Sequence, residues 1–163
     1  MKYKYCPACA NELSEKDLDG RLRLVCNSNG CGFIFWDNPT PVVAMVVETE
    51  QGILVAHNVR WPAGNYSVIT GFLESGETPE SAATREVHEE LGLRATSVRF
   101  IGNFSFPLMN QVILAYHVRA EGIVQLNEEL DDCKFVQRND LMGWEETGEF
   151  QVGEWLQKLR ILK

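Results

Sequence analysis

Residues 71–93 read Gly71-Phe72-Leu73-Glu74-Ser75-Gly76-Glu77-Thr78-Pro79-Glu80-Ser81-Ala82-Ala83-Thr84-Arg85-Glu86-Val87-His88-Glu89-Glu90-Leu91-Gly92-Leu93. The stretch divides into a glycine-bearing bend over 71–76 and a helix over 79–91. Thr78 is a good N-cap residue, and Pro79 at the first helical position gives up an N–H that has no helical partner there. Gly92 suits the left-handed residue that closes a helix. Ala83, Val87 and Leu91 recur on one face and are expected to pack on a sheet. Glu86, Glu89 and Glu90 lie at i, i+3 and i+4 and share another face. Three carboxylates that close repel one another, which raises their pKa values or weakens the helix unless something neutralises them. A divalent cation does so, and an all-oxygen ligand set suits Mg²⁺ or Mn²⁺. Arg85 is placed to hold Glu77 of the preceding loop, and it also pairs with Glu89 at i, i+4. For the helix alone, a solvated acidic face is the plain alternative.

Strand patterns surround this helix. The apolar, β-branched run 42–48 reads as a buried strand, and 53–57 returns from the turn at 49–52. Short strands are expected over 66–70, 96–104, 112–119 and 133–137, with a further one over 123–126. Residues 150–162 read as a closing helix, with Val152, Trp155, Leu156 and Leu159 on one face. Mixed strands and helices, with hairpins among the strands, point to an α/β sandwich with a mixed sheet.

The segment before residue 38 has a different character. Cys6-x2-Cys9 and Cys26-x4-Cys31 are separated by sixteen residues. Both spacings suit structural Zn²⁺, and so short a segment needs a metal to replace a core. Residues 1–37 therefore read as a zinc ribbon and 38–163 as the α/β domain, joined by Asn38-Pro39-Thr40-Pro41. Free or disulfide-bonded cysteines in an arm are the alternative. Cys133 reads as a small buried hydrophobe, and His57, His88 and His117 have no clear ligand set.

The chain has 163 residues and a net charge of −8. That balance argues against a general nucleic-acid binder, which would show a basic face. No apolar region follows the first lysines, and the longest apolar run is too short to span a bilayer. A cytoplasmic protein without membrane contact is expected.

The stretch 71–93 fits G-x5-E-x7-R-E-U-x-E-E-x-G-U, with Gly71, Glu77, Arg85, Glu86, Glu89, Glu90 and Gly92 in the fixed places and Val87 and Leu93 in the aliphatic ones. At roughly 5–7% usage per residue type, seven fixed places agree by chance on the order of once in 10⁹ windows. On these residues the chain resembles the Nudix hydrolases. The resemblance implies an α/β/α sandwich and a metal-dependent pyrophosphohydrolase, acting by attack of water on a nucleoside diphosphate linked to another moiety. It implies Glu86, Glu89 and Glu90 as ligands of Mg²⁺ or Mn²⁺, with the Gly71 carbonyl as a further metal contact. Glu77 and Arg85 become positioning residues, and Glu129 or Glu89 the general base.

The four-cysteine ribbon before the box is similar to that of the NADH pyrophosphatase branch, which implies NADH, NAD⁺, ADP-ribose or a similar dinucleotide as substrate. Asn127-Glu128-Glu129-Leu130 followed by Phe135 resembles that branch's segment after the box, where a glutamate joins the metal site. Glu129 is the better match and Glu128 the second. The branch's S-Q-P-W-P-F-P-x-S is matched here only at Phe106-Pro107, with Phe104 in the Trp place. Tyr66, Phe104 and Phe106 are candidates for substrate binding, as are Trp61 and Met109, against the plainer reading that these side chains pack a core. A homodimer is expected from the resemblance alone. Two rivals remain: a catalytically silent Nudix-fold sensor or nucleic-acid module, and a cap-type enzyme acting on RNA ends.

Overall fold

The computed structural model describes residues 3–137. The helix expected over 150–162 lies outside the described residues. The chain forms two compact units, Met1–Pro39 and Thr40–Lys163.

In the first unit, β1 (Leu13–Leu18), β2 (Arg21–Cys26) and β3 (Ile34–Phe35) form an antiparallel sheet in the order β1-β2-β3. Asp19 and Gly20 join β1 to β2 with φ of 54° and 79°. Two consecutive residues with positive φ make the tight turn whose twist matches a hairpin. Cys6, Leu13 and Cys26 form the small buried centre, with Leu24, Cys31 and Phe33 packed against it.

The second unit is a mixed sheet of six strands among the described residues, in the order β7-β8-β4-β5-β9, with β6 also paired to β4. Its strands are β4 (Thr40–Thr49), β5 (Gly52–Asn58), β6 (Ile69–Phe72), β7 (Arg94–Phe106), β8 (Gln111–Glu121) and β9 (Leu130–Val136). β4 runs parallel to β8, and every other pairing is antiparallel. Val42 to Val47 are all 5% exposed or less, so β4 is buried on both faces. That is why its sequence is continuously apolar rather than alternating. Val43, Met45 and Val47 pack toward the helix, and Val42, Ala44 and Val46 toward the other face.

The helix α1 (Pro79–Leu91) has the bounds that its local signals predict. Thr78 caps it by accepting from the Ser81 N–H, and Gly92 closes it at φ 66° with its N–H on the His88 carbonyl. Ala82, Ala83, Val87 and Leu91 are buried against the sheet. Tyr116 of β8 donates to Glu80 Oε1 at 2.8 Å, which ties the first turn of α1 to the sheet.

Residues 123–126 do not form the expected strand. They run past the end of α1 instead. The Gln125 N–H donates to Leu91 O at 2.8 Å and the Asn127 N–H to Glu90 O at 3.1 Å. The last carbonyls of a helix have no partner inside it, and this segment satisfies two of them. No described helix is long and apolar enough to cross a membrane.

Candidate active site

The turn between β6 and α1 places Glu77 beside Arg85, one turn before the acidic face. Arg85 organises the whole group. Its Nε and Nη2 donate to the two Glu77 oxygens at 2.9 and 3.0 Å. Its Nη1 donates to Glu86 at 2.8 Å and to Glu89 at 3.0 Å, and Nη2 also reaches Phe72 O at 3.1 Å. The planar fork therefore serves three carboxylates and a carbonyl, a pattern that a single ammonium cannot copy. Arg85→Lys is expected to destabilise the fold by about 2–4 kcal/mol, because it leaves part-buried carboxylates without full compensation. A lower urea midpoint with an unchanged slope is the expected readout, and an unchanged midpoint would contradict this account of Arg85.

The carboxylates differ in their environments. Glu77 is held below the usual carboxylate range by the Arg85 hydrogen bonds. Glu86 is pushed up, because burial outweighs the Arg85 contact. Glu90 is pushed up to about 8, first by burial and then by the charges of Glu86 and Glu129. Gly71 makes room for this packing: a Cβ there would overlap the Glu86 carboxylate.

Glu129 reaches the cluster from outside the helix. The Asn127 side chain accepts the Glu129 N–H at 3.0 Å, and the Val59 N–H donates to Glu129 O at 3.0 Å. Gly71, Arg85, Glu86, Glu89, Glu90 and Glu129 all line one cleft of about 560 Å³. Glu77 lies behind Arg85 and outside the lining, as does Glu128.

An all-oxygen donor set suits Mg²⁺ or Mn²⁺. The raised Glu90 and the Gly71 cradle around Glu86 show carboxylates packed at a cost that a divalent cation would relieve. These residues fit the group that the acidic face calls for.

Tyr66, Phe104 and Phe106 do not line the cleft. They pack against the sheet face opposite to α1, and the Tyr66 hydroxyl donates to Asp132. Trp61 does line the cleft, together with Asn58, Arg60, Phe72, Gln111 and Asn127. Arg60 was not legible as a site residue, since one arginine in a polar loop carries no spacing signal.

In the first unit, the ligand atoms of Cys6, Cys9, Cys26 and Cys31 all lie within 4.8 Å of one another. The sulfur pairs Cys6–Cys31, Cys9–Cys26 and Cys9–Cys31 are 3.6, 3.5 and 3.5 Å apart. A tetrahedron with Zn–S of about 2.3 Å has edges of about 3.8 Å, so the set fits one Zn²⁺. Hydrogen bonds from Asn11 lower Cys9 to about 6. At Cys31 the Phe33 N–H works in the same direction, but the neighbouring thiols of Cys9 and Cys6 prevail and raise it to about 12. Four sulfurs this close cannot all ionise without a cation among them.

Comparison with known proteins agrees with this geometry. The family model described as NUDIX domain matches residues 38–159. The chain is 32% identical over 151 residues to the NAD-capped RNA hydrolase NudC of Vibrio vulnificus (strain CMCP6), covering 89% of this chain and 55% of that protein. It is 25% identical over 142 residues to NudC of Pseudomonas putida (strain W619), covering 86% and 50%. The chain thus spans about half the length of the curated relatives it matches. A NUDIX hydrolase structure from Nitrosomonas europaea superposes with a TM-score of 0.78 at 22% identity, covering 98% of this chain and 93% of that one. A C. elegans Ap4A hydrolase complex superposes at 0.60 with 16% identity, over 74% and 96%. These two structures share the fold. With its box helix, its mixed sheet and a match that runs through most of its length, the chain belongs to the Nudix family.

Proposed function

We propose that the protein is a metal-dependent pyrophosphohydrolase that cleaves the diphosphate of a nucleoside-diphosphate-linked compound, of the NAD(H) or ADP-ribose kind. One observation carries this reading: Glu86, Glu89, Glu90 and Glu129, with the arginine that orders the first two, line a single cleft large enough for a nucleotide. Glu86, Glu89, Glu90 and Glu129 would hold Mg²⁺ or Mn²⁺, and the four cysteines would hold a structural Zn²⁺. When bound in the cleft, the divalent cation supplies charge to offset the phosphate oxygens and makes water easier to deprotonate.

The remaining work falls to the chain. Glu129 or Glu89 accepts the proton of the attacking water, because both line the cleft and Glu89 is 54% exposed. Arg85 fixes Glu86 and Glu89 in place and keeps the Glu77 loop folded against the helix. Glu86 is held from two sides, by Gly71 and by Arg85.

A second reading has its own support. The curated relatives are named for NAD-capped RNA, so the same diphosphate at the 5′ end of an RNA is a candidate substrate. The expectation of no nucleic-acid partner does not follow from net charge alone, since the capped end reaches a local site.

The test is a hydrolysis screen with Mg²⁺ or Mn²⁺ over NADH, NAD⁺, ADP-ribose, FAD, dinucleoside polyphosphates, nucleoside triphosphates and an NAD-capped RNA. Glu89→Gln is the control and should lose at least about 10²-fold in turnover. Near-normal activity in that variant, or no turnover on any compound, would overturn the assignment.

A further inference from the structure

The cleft has a second kind of lining besides its carboxylates. Asn58, Arg60 and Trp61 come from the loop between β5 and β6. Among the described residues two cations, Arg60 and Arg85, line the cleft, beside the carboxylates of Glu74, Glu86, Glu89, Glu90 and Glu129. Arg85 is committed to Glu77, Glu86 and Glu89. Among the described residues Arg60 has no ion-pair partner, and its side chain is exposed. Trp61 belongs to neither core cluster of this unit and is 39% exposed. A large apolar ring and a guanidinium with no ion-pair partner thus lie next to one another on the cleft wall, outside the core clusters.

The loop that carries them is firmly built. Asn58 Oδ1 accepts the Arg60 N–H at 3.0 Å, and Asn58 O accepts the Trp61 N–H at 2.9 Å. The Val59 N–H reaches Glu129 O, so the loop is fastened to the segment that delivers Glu129. Behind it, the buried His57 ring has Nδ1 2.5 Å from Asp131 Oδ1 and Nε2 3.1 Å from Pro62 O. Both partners are acceptors, so both ring nitrogens donate. The imidazole thus clamps the loop to β9, and Arg60 and Trp61 are presented by a fixed backbone. Preorganised side chains bind with less ordering cost than mobile ones.

We propose that Arg60 and Trp61 form the nucleoside-phosphate recognition site of the cleft, Trp61 stacking on the aromatic base and Arg60 binding a phosphate oxygen. The proposal deepens the pyrophosphohydrolase reading and rests on it. It makes the favoured substrate one whose nucleoside carries a flat aromatic base. Arg60 supplies a forked donor for phosphate where the rest of the lining is mainly acceptors. Trp61 supplies a stacking surface that tolerates different bases, because every base has a π face.

The test uses the whole chain and ligands without a phosphoanhydride, so that binding is read without turnover. AMP and ribose 5-phosphate are titrated in the presence of Mg²⁺ by calorimetry. Wild type is expected to bind AMP at least about tenfold more tightly than ribose 5-phosphate, the share that base stacking provides. Trp61→Ala should abolish that preference, and Trp61→Phe should keep part of it. Arg60→Ala should weaken both ligands alike, by about tenfold. Unchanged thermal midpoints in these variants show that the fold is intact. A preference that survives Trp61→Ala, or AMP affinity that survives Arg60→Ala, overturns the proposal. Failure of the hydrolysis reading looks different: no compound in the screen turns over, whatever these titrations give.

Discussion

Glu90→Gln is expected to cut metal-dependent turnover by at least about 10³-fold, since loss of several kcal/mol of metal-derived stabilisation is worth a factor of ten per 1.36 kcal/mol. The same substitution should make the metal-free protein more stable. In the folded state the Glu90 carboxyl is pushed up to about 8 from its ordinary 4.5, by burial and then by Glu86 and Glu129. The folded protein therefore keeps a proton that the unfolded chain releases. Stability of the metal-free protein falls as pH rises from about 4.5 to about 8, where the unfolded state binds fewer protons than the folded one. Gln carries no such burden. Its advantage should reach on the order of 1–3 kcal/mol at pH 8, after allowance for solvent screening, and vanish near pH 4.5. Thermal scans in chelator across this range read the effect. Mg²⁺ should raise the midpoint of the wild type far more than that of the variant. A variant that is less stable at pH 8 without metal would show that Glu90 is not under electrostatic strain. Calorimetry in buffers of different ionisation enthalpy gives a second readout: Mg²⁺ binding near pH 7 should release more protons from the wild type than from Glu90→Gln.

Cys26→Ser should unfold the first unit, and so should prolonged chelation. Zinc affinity in small thiolate modules corresponds to apparent free energies of about 10–16 kcal/mol, far more than a sheet of this size contributes. Among the described residues of this unit only Cys6, Leu13, Val25 and Cys26 are buried hydrophobics, and two of the four are thiol bearers. Hydrogen exchange is the direct measurement. The amides of Cys6, Ala10 and Cys26 donate to Asn11 O, Cys6 O and Phe33 O at 2.8, 2.8 and 2.9 Å. They should be protected in the zinc-loaded protein and exchange freely in Cys26→Ser. Protein purified without chelator should carry about one tightly bound zinc per chain. Absence of zinc, with those amides still protected, would mean that the cysteines serve another purpose.

The helix was the most legible element because its signals are local. Thr78, Pro79 and Gly92 set its ends, and each acts through its own backbone conformation. Most strands are longer than the sequence patterns suggest, because pairing partners extend them, whereas the strand expected over 66–70 is shorter and shifted, to Ile69–Phe72, where it pairs with β4. β7 runs two residues beyond the expected pattern at each end, along its long register with β8. Residues 123–126 look like a strand, since Ile123, Val124 and Leu126 favour extended backbone. The N–H groups of Gln125 and Asn127 instead bond to the end of α1, which no local pattern announces. The ribbon hairpin was a different matter. Leu18-Asp19-Gly20-Arg21 contains the Asp-Gly pair that most strongly marks a tight hairpin, so its signal is local and present in the sequence.

The candidate site divides along the same line. The box residues were readable because helix periodicity places them. Glu129 was readable by resemblance, and the Asn127 turn and the helix end explain its position. Tyr66, Phe104 and Phe106 could not be sorted from Trp61 by residue type. All four are aromatic, and only the sheet face decides which of them packs into a core.

The fastening of residues 123–127 to the end of α1 has a further consequence. Leu91 O and Glu90 O take main-chain N–H groups, so the link depends on backbone and not on which side chains occupy 123–126. Val124 and Leu126 also pack against the core, so those two positions call for apolar side chains, while the hydrogen bonds themselves call only for backbone of the right length. A deletion of one residue is another matter, because it would shift Asn127 off Glu90 and drag Glu129 with it. The segment stores its information as length, and a comparison by residue identity would pass over it.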